Sequence, residues 1–153
     1  MKAQRIGAMT TVVCIILCAG AAFAAPWKGW HGSGGWGTHG AYQRMYNPAT
    51  VETVNGEVVD VQHVTTMKGM DAGIHLQLKT EQEILSIHLG PAWYIERLDA
   101  KIDKGDKIEV KGARVAIAGK PAVIAAEVKK GDDLLLLRDS QGIPAWSGWR
   151  RGR

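Results

Sequence analysis

The sequence predicts a mostly β domain, a small five-stranded barrel with one short helix between strands three and four. β-branched residues are concentrated from Val51 to Val61, and Gly56 interrupts them where a strand can bend or bulge. Apolar and polar residues alternate with a period of two over Ile74–Lys79 and again over Ile84–Leu89. These observations predict the first three strands.

The second and third strands are expected to form a hairpin that turns through Glu81 and Gln82. In that register the apolar side chains share one face and His75 lies opposite His88 on the other. The expected apolar pairs are Leu78 with Leu85, Leu76 with Ile87 and Ile74 with Leu89.

The remaining elements complete a β-β-β-α-β-β order. Pro91 suits the first turn of a helix of two or three turns that extends to Ile102. Later strands are expected over Ile108–Val110, Arg114–Ile117 and Val123–Val128, and Leu134–Leu137 is expected to close or cover the barrel. The order is similar to the OB-fold, a five-stranded Greek-key barrel, with a β-sandwich or another small barrel as the competing architecture.

The N-terminus has the organisation of a secretory signal peptide. Lys2 and Arg5 precede an uncharged run that extends to Ala22, and an A-x-A pattern ends at Ala24, after which cleavage is expected. The apolar run is too short for a stable membrane span. The sequence therefore predicts a periplasmic or secreted protein.

Cleavage removes Cys14 and Cys18, so the mature chain forms no disulfide. It also removes two of the 19 basic residues against 15 acidic ones, and the nearly balanced charge of the remainder argues against nucleic acid as a partner. No nucleophile elbow, phosphate loop, zinc-protease motif or haem-attachment motif is present, which predicts a non-enzymatic protein.

Four segments differ in composition: a signal peptide over residues 1–24, a leader over 25–48, a barrel over 49–139 and a basic tail over 140–153. The leader is rich in Gly, Trp and His and has no apolar periodicity. We expect it to be flexible or to be ordered by a partner.

Four stretches, VNGEVVDV, HLGPAWYIE, KGDKIEVKG and LRDSQGIPAW, resemble small exported bacterial proteins with an OB-like domain. They are similar to the MamS/MamX-type domain of magnetosome-associated proteins and to proteins loosely labelled DNA-binding. The resemblance implies the fold and export, with no catalytic motif. Single-stranded nucleic-acid binding follows from the fold analogy alone.

The hairpin histidines suggest a metal site. Candidate ligands are His75, His88, Met67, Met70 and His63, a soft set of imidazoles and thioethers that favours copper as the cofactor. The set resembles that of periplasmic copper chaperones with an OB-fold, although their spacing is not reproduced. Alternatively, the histidines are partly exposed strand residues and the methionines fill gaps in the core.

Exposed aromatic and cationic residues suggest a second candidate, a surface for another envelope protein or a small ligand. Alternatively, Trp146 packs the tail onto the barrel. The leading interpretation is a non-enzymatic binding or accessory module. The candidate surface residues are Trp27, Trp30, Trp36, Trp93, Trp146, Trp149, Arg150 and Arg151.

Overall fold

A computed structural model of the chain describes residues 33–148, and the expected signal peptide lies outside this range. None of the helices in that part of the chain has the length and hydrophobicity needed to cross a bilayer. The strands and the helix are β1 (Val51–Val64), β2 (Gly73–Lys79), β3 (Ile84–Pro91), α1 (Ala92–Ile95), β4 (Lys107–Ile117), β5 (Lys120–Lys130) and β6 (Asp133–Leu136). Short 3₁₀ turns span Gln43–Met45, Pro48–Thr50 and Ala145–Gly148.

Five strands form a nearly closed ring. The central strand β1 pairs antiparallel with β2 and β4, while β3 and β5 extend the sheet on either side. A short parallel pairing of Ser86–His88 with Ala122–Ile124 then joins β3 to β5 and closes the ring. This connectivity, with α1 between β3 and β4, confirms the predicted OB-like barrel.

Strand β1 pairs with two neighbouring strands, because its pairing partner changes near its middle. Residues 51–57 pair with β4, and residues 57–64 pair with β2. Gly56 lies at this exchange, where a Cβ atom would lie 2.4 Å from the carbonyl oxygen of Lys79. The bulge itself falls between Val58 and Asp60. The sequence therefore located the bend within a few residues, and close backbone approach explains the glycine.

The β2–β3 hairpin has the predicted register over most of its length. Leu76 pairs with Ile87, and His75 lies opposite His88. The expected pairing of Ile74 with Leu89 is wrong, because a bulge between Ile74 and His75 shifts Ile74 to Gly90. The apolar set fills the barrel and includes Val58, Leu76, Leu78, Leu85, Ile87, Leu89, Val110, Val123 and Val128.

The helix is shorter than predicted. α1 ends at Ile95, and the following amides of Arg97 and Leu98 bond to carbonyls three residues back, which is tight-turn geometry. So short a helix is held by packing, since one turn has little intrinsic stability. Leu98 and Ile102 still pack against the core, so the apolar stripe identified the buried side chains but not the helix length.

The leucine run lies in and just after β6, which pairs with β5 outside the ring; of the two expected roles it covers the barrel and does not close it. In β6 and just beyond it, Leu135 and Leu137 are buried, whereas Leu134 and Leu136 are more than half exposed. This alternation is that of a strand covered on one face.

A layer formed by the leader and the tail covers the outer face of the β2–β3 hairpin. The indoles of Trp36 and Trp146 are 1% and 2% exposed. They lie against Gly73 and Gly90, where Cβ atoms would approach indole carbons within 2.4 Å and 2.7 Å. Trp146 Nε1 donates to the Trp36 carbonyl at 2.9 Å, and Trp36 Nε1 donates to the Asp71 carbonyl at 2.9 Å.

This layer corrects two expectations. Residues 33–48 of the predicted leader pack against the barrel instead of forming a flexible segment, and Trp36 and Trp146 do not lie on an exposed surface. The alternative in which Trp146 packs onto the barrel is the observed one. The physical reason is that two glycines in neighbouring strands leave a flat surface, and indole rings gain free energy by covering it.

Replacing Trp36 with Ala tests whether the leader belongs to the folded core. The change leaves a cavity over Gly73, and we expect the free energy of unfolding to fall by about 3–5 kcal/mol. Ile84→Ala is the control because Ile84 is 59% exposed, and we expect a change within about 0.5 kcal/mol. Urea unfolding measures both, and equal effects of the two substitutions would contradict the packing.

Candidate functional site

Two histidines stack at the centre of the hairpin's outer face. His75 on β2 and His88 on β3 are directly opposite, and their ring centroids are 3.7 Å apart with planes tilted by 17°. Their exposures are 4% and 3%. The alternative in which they are partly exposed strand residues is therefore wrong, because the layer of leader and tail covers this part of the face.

Each imidazole has one hydroxyl partner. The Tyr42 hydroxyl lies 3.1 Å from His88 Nδ1, and the Thr66 hydroxyl lies 3.1 Å from His75 Nε2. The Tyr42 ring also runs nearly parallel to that of His88, with centroids 6.0 Å apart. Leader, hairpin and the β1–β2 loop thus meet in one row of side chains, Tyr42, His88, His75 and Thr66.

Both histidines are neutral at physiological pH. Burial lowers the pKa of His75 to about 4. Burial is also the main cause that lowers the pKa of His88 to about 3, with smaller contributions from His75 and the cation of Arg138. Neutral imidazoles each offer one donor and one acceptor nitrogen.

The hydrogen bond to Tyr42 selects the tautomer of His88. Burial raises the pKa of the Tyr42 phenol, so Tyr42 keeps its proton. No other acceptor for that proton lies within residues 33–148, and Tyr42 therefore donates to His88 Nδ1. The remaining ring hydrogen of His88 then resides on Nε2.

A cleft of about 430 Å³ opens beside the stacked pair. It lies over β2 and β3 between the β1–β2 loop and the β4–β5 turn, which is where OB-folds bind their ligands. Its lining contains one cation, Lys120, and no carboxylate. The polar groups are amides, hydroxyls and imidazoles from Gln62, Thr65, Thr66, His75, Gln77, Ser86 and His88.

Behind the histidines lies a buried cation. Arg138 is 4% exposed, and its Nη1 donates to the carbonyls of Ala125 at 2.5 Å and Leu89 at 3.4 Å. Its guanidinium carbon lies 4.8 Å from the ring centroid of Trp146. Arg138 therefore joins the tail to β3 and β5. Burial lowers its pKa, although an arginine stays charged in proteins.

The structure brings together only part of the proposed copper ligand set. His63 pairs with Ile74 in the register and so faces away from His75; its Nε2 lies 2.7 Å from Glu96 Oε1. Met67 and Met70 pack against the core and do not line the cleft. Within residues 33–148, no three His, Cys, Asp or Glu side chains cluster to hold a metal ion.

The stacking also bears on metal binding by the pair. Rings 3.7 Å apart and tilted by 17° have planes that meet only about 12 Å away, whereas a metal lies about 2 Å from a ligating nitrogen and in the plane of its ring. One ion therefore cannot bind both imidazoles unless a ring rotates.

The proposed partner surface is dispersed. Trp36 and Trp146 are buried, and Trp93 on α1 is partly buried with its ring 6.3 Å from that of Tyr94. The other members of that surface lie outside the described residues, namely Trp27, Trp30, Trp149, Arg150 and Arg151.

Sequence reasoning missed Tyr42, Thr66 and Arg138. Tyr42 lies in a glycine-rich stretch without periodicity, which carries no local sign of burial. One sequence signal could have indicated the burial of Arg138. It directly follows four leucines, and a residue that follows a buried strand end is often buried with it. Nothing local indicates that Thr66 reaches His75.

Together, the barrel, the covered hairpin face and the adjacent polar cleft define a small OB-like protein with a candidate ligand site beside the stacked histidines. The sequence profile of the MamS/MamX magnetosome protein family matches residues 50–135, which include β1 to β5 and most of β6. The chain therefore belongs to this family, as the resemblance implied. No curated protein matches the chain.

The low pKa values of the stacked histidines predict a pH dependence of stability. As the pH falls from about 6.5 to about 5, His75 and His88 bind protons in the unfolded chain but not in the folded protein. We expect the free energy of unfolding to fall with a slope that reaches at most about 1.4 kcal/mol per pH unit for each histidine near pH 5. Urea unfolding across this range measures the slope.

The slope should shrink in His75→Gln and in His88→Gln, whatever each substitution does to stability at pH 7. His63→Gln is the control, because the His63 side chain is 58% exposed and lies outside the pair. NMR titration of the wild-type imidazoles gives a direct check, and a midpoint near 6.5 for His75 or His88 would refute the assignment.

Proposed function

We propose that this member of the magnetosome family is an exported, non-enzymatic binding module whose ligand occupies the cleft beside His75 and His88. The observation that carries the proposal is the position of that cleft on the OB ligand face, with uncharged polar side chains along it. Export rests on the signal-peptide pattern ending at Ala24. The protein then meets its ligand outside the cytoplasm.

The cleft chemistry favours a small uncharged ligand rich in hydroxyl or amide groups. Gln77 Nε2 donates to Gln62 Oε1 at 3.5 Å and Gln62 Nε2 donates to Asp60 Oδ2 at 2.7 Å, so Gln77 Oε1 and the second N–H of each amide keep hydrogen-bonding capacity for a ligand. His88 offers an N–H, and Ser86 offers a hydroxyl. Lys120 is the only cation in the lining of the cleft, so the cleft attracts a polyanion weakly. We therefore favour a neutral saccharide over single-stranded nucleic acid as the ligand.

Titration with chitotetraose tests this function, because that probe carries both hydroxyl and acetamide groups. We expect saturable binding by calorimetry and NMR shift changes centred on β2 and β3. Gln77→Ala removes one hydrogen-bonding side chain from the cleft, and we expect binding to weaken about 2- to 10-fold.

Gln82→Ala is the matched control for the titration, since Gln82 is exposed and lies outside the cleft. A short oligothymidylate titrated at physiological salt provides the nucleic-acid comparison. Absence of chitotetraose binding, or equal weakening by the two glutamine substitutions, would contradict a saccharide ligand in this cleft.

A copper ion is the second candidate, favoured by one observation. The depressed pKa values keep His75 and His88 unprotonated, and a metal competes with protons for such nitrogens. Binding requires the rings to leave their stacked arrangement. The ion would then recruit one imidazole, or both after rotation.

A competition titration with Cu(I) and a chromophoric chelator tests the copper candidate. If both imidazoles bind the ion, His75→Ala and His88→Ala each lower the affinity at least about 10-fold; if one imidazole binds it, only that substitution does. His63→Ala should change nothing, because His63 faces away from the pair. Equal affinities in all variants would exclude the hairpin site.

A further inference from the structure

The guanidinium of Arg138 leaves one complete edge without a protein partner. Its Nη1 bonds to the carbonyls of Ala125 and Leu89, while Nε and Nη2 are buried and have no hydrogen-bond partner within residues 33–148. The N–H groups of Nε and Nη2 point in parallel from the same edge of the guanidinium plane, which is the arrangement that holds an anion with two hydrogen bonds.

No acidic side chain balances this charge in the described part of the chain. The nearby titratable groups are the phenols of Tyr42 and Tyr46 and the imidazole of His88; burial raises the pKa of both phenols and lowers that of His88, so none of the three carries a negative charge. Asp139, the next residue, accepts hydrogen bonds from the amides of Gln141 and Ile143 and shapes the turn there.

An uncompensated buried cation is costly, by several kcal/mol even after relaxation. A water molecule would satisfy two N–H groups but leave the charge unbalanced, whereas an anion does both. Aromatic rings border the guanidinium, with its carbon 4.8 Å from the Trp146 centroid and 5.9 Å from that of Tyr46. Such walls exclude bulk water and strengthen the attraction.

We propose that the Nε–Nη2 edge of Arg138 binds a small monovalent anion, of the size of chloride or formate, in the layer between the barrel and the tail. We limit the ion to a few atoms because neither nitrogen is reached by solvent: the layer has to open slightly to admit even a small ion, and a larger one would displace the tail. The site is separate from the cleft, and its ion stabilises the attachment of the tail to β3 and β5.

A crystal structure of the full chain in sodium bromide is the direct test. Bromide scatters anomalously, and we expect a peak within about 3.5 Å of both Nε and Nη2 of Arg138. A peak without anomalous signal at that position, a carboxylate of the chain closing the edge, or no peak would each overturn the proposal.

Thermal unfolding in solution gives an independent test. At equal ionic strength, chloride and bromide should raise the midpoint relative to gluconate, which is too large for the site. For a single ion site, the unfolding constant should fall about 100-fold at an anion concentration 100 times the dissociation constant.

Arg138→Met should remove the difference between halide and gluconate, while Arg114→Met should keep it. Arg114 is the matched control because its guanidinium is paired with Glu52 and Glu83. A halide effect that persists in Arg138→Met would refute the site. If that variant does not fold, the bromide crystal of the wild type still decides.

Discussion

The packing of Trp36 and Trp146 against Gly73 and Gly90 is the constraint on which the rest of this structure depends. A hairpin with one apolar face could have left its other face in water, as antiparallel sheets often do. Here two glycines make that face flat, the indoles cover it, and the Trp146 indole donates a hydrogen bond to the backbone carbonyl of Trp36. The barrel therefore acquires a second buried layer on its outside.

This second layer sets the chemistry of the site. It removes His75 and His88 from water, which keeps both rings neutral and lets them stack. It also brings Tyr42 to His88 and surrounds Arg138 with aromatic rings. The part of the same face that this layer leaves uncovered is the polar cleft. The extent of the layer therefore determines both the position of the cleft and the neutral state of the histidines.

The sequence predicted the barrel well because its strands carry local signals. Alternation over β2 and β3 placed Leu76 against Ile87 and His75 against His88, since a shift by one residue would bury the polar set. The exposed and buried leucines of β6 follow the same rule. Prediction failed where the sequence has no apolar periodicity, as in the leader around Trp36. The sequence also did not predict the bulge at Ile74 or the short length of α1.

The sequence by itself determined the OB-like strand order, the register of the central hairpin and the juxtaposition of the two histidines. Only the tertiary structure decided whether those histidines are exposed to solvent and which hydrogen-bond partners they have. It also placed His63 on the opposite face of the sheet. The physical reason is that strand patterns report which face of a strand is apolar. They do not report which distant segment covers the polar face, and here Tyr42 contacts His88 from the leader while Arg138 bonds to the Leu89 carbonyl from beyond β6.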